Sequence, residues 1–366
     1  MRVKDIEPLL DEIRIGSITI GNRFVRSATH EWLAEPDGKP SRAIAEIYEN
    51  LAKNNIGLII SGYSFVSPCG RSSSNQQGIY DDRFIEDYAS LVRMINKYDA
   101  KFFIQIVHGG RQALVTEDCS KILAPSPVRL PESNECPEQM SVDDIEKVIL
   151  DFANAVDRAR RAGVNGVQLH CAHGFLLSNF LSPYTNRRED DWGGDTERRS
   201  RIVTEILRIA KKDDDNFPIA AKMNAWDGID GGINLREAVK IAEILNSEGI
   251  DAIEVSGGSE DARTEITCTP DILAEGDEAY FREYSRAIKK NVDCPVILVG
   301  GLRSLGVMRR MISEEYADMI SLSRPLIREP DLVSKFIKGN SNRATCISCN
   351  NCFDETGIKC NQEERR

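Results

Sequence analysis

Lys101-Phe-Phe-Ile-Gln-Ile-Val-His108 is an almost unbroken apolar run with a polar end. A strand buried on both faces reads this way, because neither side of its pleat meets water. Seven further runs share the form, at 24–29, 56–63, 164–171, 219–224, 252–257, 295–301 and 319–324. Most lead into a polar or Gly-bearing loop and then a longer amphipathic stretch. Eight parallel strands with helical crossovers predict an α/β protein, a closed (β/α)8 TIM barrel.

Working outward, helices are predicted over 141–162, which opens on the capping-box pattern Ser141-Val-Asp-Asp-Ile-Glu146, and over 196–211 behind Gly193-Gly194. Two short alternating pieces around Gly16-Ser17 read as an N-terminal hairpin closing the bottom of the barrel. Residues 109–140 form a long Pro-bearing segment, read as an excursion over one barrel mouth. The barrel is assigned to 1–340 and a short Cys-rich C-terminal extension, expected to pack on it, to 341–366.

The 366 residues carry 47 Lys+Arg against 58 Asp+Glu, a net charge of −11. That disfavours nucleic acid as a partner, since such binding neutralises phosphates with a basic face. No long uncharged apolar run is present, and the first residues place acids where a leader peptide needs an apolar stretch. The expectation is a cytoplasmic protein with no membrane partner. Of ten cysteines, six are scattered and four crowd the C-terminus, which points to metal or redox chemistry more than to a disulfide framework.

Active sites of such barrels lie at the C-terminal ends of the strands. Those ends hold Thr29-His30, Tyr63-Ser64, Gln105 with His108, His170 with His173, Lys222 with Asn224, Ser256-Gly257-Gly258, Gly300-Gly301 and Ser323-Arg324. Gly300-Gly301 with Ser323-Arg324 describes either a phosphate site or a tight turn beside a surface arginine. Lys222, late in an apolar run, needs a negative partner: a phosphate, the pyrimidine edge of a flavin, or a carboxylate of the chain itself. Gln105 offers donor and acceptor to a heterocycle or satisfies the core. The chain has four histidines, and each falls at or just after a strand end.

Gly21-Asn-Arg-Phe-Val-Arg-Ser-Ala28, Gln105-Ile-Val-His-Gly-Gly-Arg111 and, above all, Gly166-Val-Gln-Leu-His-Cys-Ala-His-Gly-Phe175, running on through Arg188 to Glu197-Arg-Arg199, carry a resemblance over nearly the whole chain. They resemble the Old Yellow Enzyme family of FMN-dependent NAD(P)H:flavin oxidoreductases and ene-reductases. The resemblance implies noncovalent FMN across the strand ends. Ser27, Ala28, Thr29, Tyr63, Gln105 and Lys222 would contact its ring or ribityl chain, and Gly300, Gly301, Ser323 and Arg324 its phosphate. His170 and His173 match the pair that binds an acceptor's carbonyl oxygen, where two donors polarise a conjugated double bond for hydride attack.

Three departures from the family pattern stand out. Phe175 replaces the usual proton-donating Tyr, and Tyr184 lies further along the loop as a substitute. His30 takes the place of a flavin-tuning Cys or Thr, which is similar to the branch containing 2,4-dienoyl-CoA reductase and trimethylamine dehydrogenase. The former's catalytic Tyr and His are Phe175 and approximately Glu260 here, so its substrate does not carry over. Finally, Cys346, Cys349, Cys352 and Cys360 stand at C-x2-C-x2-C-x7-C, where the x2 leading to the third cysteine is one residue shorter than the usual C-x3 step of that branch's cluster motif. They form a [4Fe-4S] site, a zinc site or a metal-free remnant.

The resulting expectation is an FMN-dependent oxidoreductase, reduced by NAD(P)H, that passes hydride to a small electron-poor acceptor such as an α,β-unsaturated carbonyl. The alternatives are an amine or alcohol dehydrogenase feeding a redox partner protein through a tail cluster and, more distantly, a zinc-dependent barrel hydrolase or lyase. A homo-oligomer is compatible with either redox reading.

Overall fold

Eight strands close on one another in a computed structural model that describes residues 6–362 apart from 118, 132, 213 and 263–266. They are β1 (Phe24–Arg26), β2 (Leu58–Ile60), β3 (Lys101–Val107), β4 (Gly166–Cys171), β5 (Ile219–Asn224), β6 (Ala252–Ser256), β7 (Val296–Leu298) and β8 (Met319–Leu322). All neighbours pair in parallel, and β2 against β3 together with β8 against β1 seals the ring. Each expected run holds one of these strands. The helix α1 (Val142–Arg161) follows β3, and α2 (Thr196–Lys211) follows β4. The capping box is formed: Asp144 N donates to Ser141 Oγ at 3.1 Å, and Ser141 N to the Asp144 carboxylate at 2.8 Å.

The runs are continuously apolar only toward the helices. Facing outward, Ile104, Leu169, Met223 and Val255 join the main core beneath the helical ring. Facing inward, Val25, Phe103, Ala220, Ala252, Ile297 and Met319 fill the lower barrel together with Ile15 and Ile20. Those last two belong to the expected hairpin, Ile13–Ile15 against Ile18–Ile20, whose Gly16 turn has φ +53° and lies so close to Asp251 that a Cβ would meet its carboxylate at 2.6 Å. The hairpin is thus a plug at the N-terminal end, and it leaves the C-terminal mouth open for chemistry.

One expectation is corrected. Cys69, in the loop after β2, and Cys119, in the 109–140 excursion, form a disulfide. Cysteines that the sequence shows as scattered meet because the two loops run side by side, with Gly109 N donating to Gly70 O at 2.7 Å and Leu114 N to Arg71 O at 2.8 Å. Among the described residues no helix is long and apolar enough to cross a membrane.

Candidate active site

Above the apolar filling, the inward positions turn polar. Strand register sets Gln105 beside Gln168, and Lys222 between His170 and Glu254. Over this layer opens a cavity of about 930 Å³, at the upper end of the range for small-molecule sites. Ser27, Ala28, Thr29, His30, Tyr63, Gln105, His170, His173, Lys222 and Ser323 all line it, so ten of the residues singled out in the sequence converge on one space. The 109–140 excursion reaches over it with Leu130, Pro131 and Ser133.

Two of its histidines project imidazoles at right angles to each other. The His170 and His173 rings are 5.2 Å apart at 85°. His173 sits in the left-handed region at φ +60°, held by Asn224 Oδ1 on its N–H and by Gln112 on its carbonyl. Its Nε2 is 2.8 Å from Ser256 Oγ, and Nδ1 of buried His170 has no partner. Burial first, then neighbouring positive charge that includes Lys222, holds both well below the ordinary histidine pKa, so both are neutral at pH 7. His30 is pushed down to about 3 by burial, and its Nε2 is likewise buried without a partner. His108 differs: its Nδ1 accepts from Gly110 N at 3.1 Å, and it braces a loop without lining the cavity.

Phe175 lies in the cavity, its ring 4.6 Å from His170 and 5.2 Å from Tyr63. Tyr184 does not line it and stacks under the Arg187 guanidinium instead. Glu260 is on the lining.

Several lining or supporting residues escaped the sequence reading. Glu254, fully buried, accepts from Ser27 Oγ and Ser321 Oγ at 2.7 Å each and from Gln168 Nε2 at 2.9 Å, with Lys222 Nζ at 3.5 Å. A lone acid in the run Ala252-Ile-Glu-Val-Ser256 is the same signal that singled out Lys222. Lys222 therefore has its own carboxylate and still faces the cavity. Trp32, at φ +53°, and Phe353 of the tail line the rim with ring centroids 6.3 Å apart, and Asn350 joins them. Nothing periodic in the sequence announces these three.

Gly300 and Gly301, at φ +125° and +67°, are not on this lining, and a Cβ on either would strike the Tyr280 ring. Arg324 also stands outside it: Nη1 donates to Thr269 O at 3.0 Å, Ser348 O at 3.2 Å and Asn350 Oδ1 at 2.6 Å. It borders a small cavity shared by Cys346, Cys349, Cys352 and Cys360. The thiols face that space without converging as ligands: among the described residues no group of three or more His, Cys, Asp or Glu is placed to hold a metal ion. Burial raises the Cys346 thiol and pushes Cys352 up to about 11, while Cys360 Sγ accepts from Arg328 at 3.2 Å.

A family model described as NADH:flavin oxidoreductase / NADH oxidase matches residues 8–343. The chain belongs to that family. An NADPH dehydrogenase from Bacillus pumilus is 33% identical over 314 residues, covering 86% of this chain and 89% of that protein. An NADH oxidase from Thermoanaerobacter brockii is 35% identical over 347 residues, 93% of this chain, and the chain spans 52% of that protein's length. The solved structure of an old yellow enzyme homologue from Zymomonas mobilis superposes with a TM-score of 0.78 at 25% identity, covering 92% of this chain and 94% of that one. FMN, the cofactor of this oxidoreductase family, fits the residues present. The cavity is large enough, His30 and His170 offer buried nitrogens without partners, and Lys222 and Gln105 on its lining would offer a cation and an amide to a flavin's polar edge.

Proposed function

We propose that this family member, holding FMN at the barrel mouth, takes two electrons from NAD(P)H and passes hydride to an electron-poor double bond conjugated to a carbonyl. FMN supplies the hydride when bound. The observation that carries the reading is the pair of neutral imidazoles, His170 and His173, facing one cavity beside Lys222. Neutral imidazole N–H groups donate to an acceptor's oxygen and stabilise the negative charge that develops there.

Phe175 has no proton to give, so the α carbon takes its proton from water or from another group in the cavity. The aromatic rim of Trp32, Tyr63 and Phe353 suits a flat, conjugated acceptor. A dehydrogenase that sends electrons out through the tail is less well supported, because the relative matched over nearly its whole length is an NADPH dehydrogenase.

The test is anaerobic. NAD(P)H-reduced protein mixed with cyclohexenone-type and enoyl-thioester acceptors is expected to reoxidise, read at the flavin absorbance band. No reoxidation with any of them would reject the acceptor class.

A further inference from the structure

Lys222 does not act alone at the cavity floor. Its Nζ lies 2.9 Å from Ser27 Oγ and 3.5 Å from Glu254 Oε1, and Glu254 is sealed from solvent behind both. A carboxylate can only accept, so it dictates the direction of every bond around it. Ser27 and Ser321 must donate their hydroxyl protons to it, and Gln168 must turn its NH2 toward it. Gln168 then presents its oxygen to Gln105, whose Nε2 donates at 2.7 Å. That leaves the Gln105 carbonyl oxygen for whatever occupies the cavity, so the chain of amides carries the polarity of one buried acid to the surface a cofactor touches.

We propose that Glu254 is a positioning residue that sets the redox poise of the bound flavin, by balancing the Lys222 charge and by fixing Gln105 as an acceptor toward the ring. The inference rests on FMN being the cofactor. Reduction adds negative charge to the flavin's pyrimidine edge. A free ammonium beneath that edge would favour the reduced form strongly, and an ammonium already matched by a carboxylate favours it less. Glu254 therefore keeps the flavin a better hydride donor than Lys222 alone would allow. Three hydrogen bonds and the adjacent cation keep the acid ionised despite its burial, and its pKa is held below the ordinary glutamate value.

The experiment is the two-electron reduction potential of the bound FMN, by equilibration with reference dyes at pH 7, in the whole protein and in Glu254→Gln, Glu254→Asp and Lys222→Gln. Glu254→Gln is expected to favour the reduced flavin about tenfold, a rise of about 30 mV for a two-electron couple. Glu254→Asp, which keeps the charge, should stay within twofold of the unmodified protein. Lys222→Gln should favour the oxidised flavin about tenfold.

A Glu254→Gln protein that keeps its FMN with an unmoved potential overturns the proposal. Should that variant fail to fold, an unmoved potential in Lys222→Gln overturns it equally. An unmodified protein that takes up no FMN would instead defeat the reading on which the proposal rests.

Discussion

Phe353 faces Trp32 across the cavity rim at 6.3 Å, so a residue of the Cys-rich tail forms part of the wall of the barrel's own site. The tail is docked on the same segment: Ile358 N donates to Glu31 O at 2.9 Å, and Gly357 lies against Leu33 so tightly that a Cβ there would meet it at 2.7 Å. Changing Phe353 to Ala removes one ring from the rim. We expect KM for cyclic enone acceptors to rise about threefold to tenfold, from an aromatic contact worth about 0.5–1.5 kcal/mol. FMN content should not change. Steady-state kinetics on acceptors with and without a ring checks this.

His170→Ala and His173→Ala should each slow the oxidative half-reaction by about 10²-fold or more, the scale seen when one oxyanion donor is removed. Reduction of the flavin by NAD(P)H should change far less. Stopped-flow traces of the two half-reactions separate the effects, and equal loss in both would mean that the imidazoles serve only the architecture.

Acid should unfold the protein in a range set by its buried histidines. Burial pushes His30 down to about 3 and His108 to about 4 in the folded state, while the unfolded chain protonates both near 6.5. Between those values the unfolded state binds more protons, so stability falls as pH drops from 6.5 toward 4, by up to about 1.4 kcal/mol per pH unit for each histidine. Urea midpoints from pH 7 to 4.5 should trace this loss. His108→Asn, which keeps an acceptor for Gly110 N, should make the slope shallower.

Arg324 commits Nη1 to Thr269, Ser348 and Asn350, which ties the tail to the loop after β6. Its change to Ala should loosen the tail and expose Cys346 and Cys352 to thiol reagents. If the guanidinium also reaches the cofactor phosphate, FMN affinity should fall about tenfold to a hundredfold, from loss of a charge-assisted contact of roughly 1.5–3 kcal/mol. Thiol titration together with FMN titration of the apoprotein reads both effects.

The Cys69–Cys119 bridge spans 50 residues and pins the excursion that roofs the cavity. A loop of that length contributes about 4 kcal/mol by the chain-entropy relation. Cys69→Ser is expected to lower the urea midpoint accordingly, and dithiothreitol should have the same effect on the unmodified protein. Denatured, unreduced protein should titrate with eight free thiols.

The barrel was legible because strands buried on both sides leave a strong apolar signal, and the mouth because four histidines and a lone lysine are costly to place elsewhere. His108 shows the limit: a residue at a strand end can turn sideways to hold a loop, and spacing does not show which way it turns. Glu254 carried the same signal as Lys222 yet reads as a misfit until register sets the two side by side. Phe353, Asn350 and the Cys69–Cys119 pairing were not legible. Each depends on how non-periodic segments dock in three dimensions, and local sequence does not encode that.

Because the ring of strands is sealed by β8 and the rim is finished by Phe353, the chamber cannot exist on a growing chain until Phe353 has left the ribosome. Cofactor loading thereby waits on the last strand of the ring. A nascent chain arrested before residue 319 should carry no yellow colour, however well its earlier helices have formed.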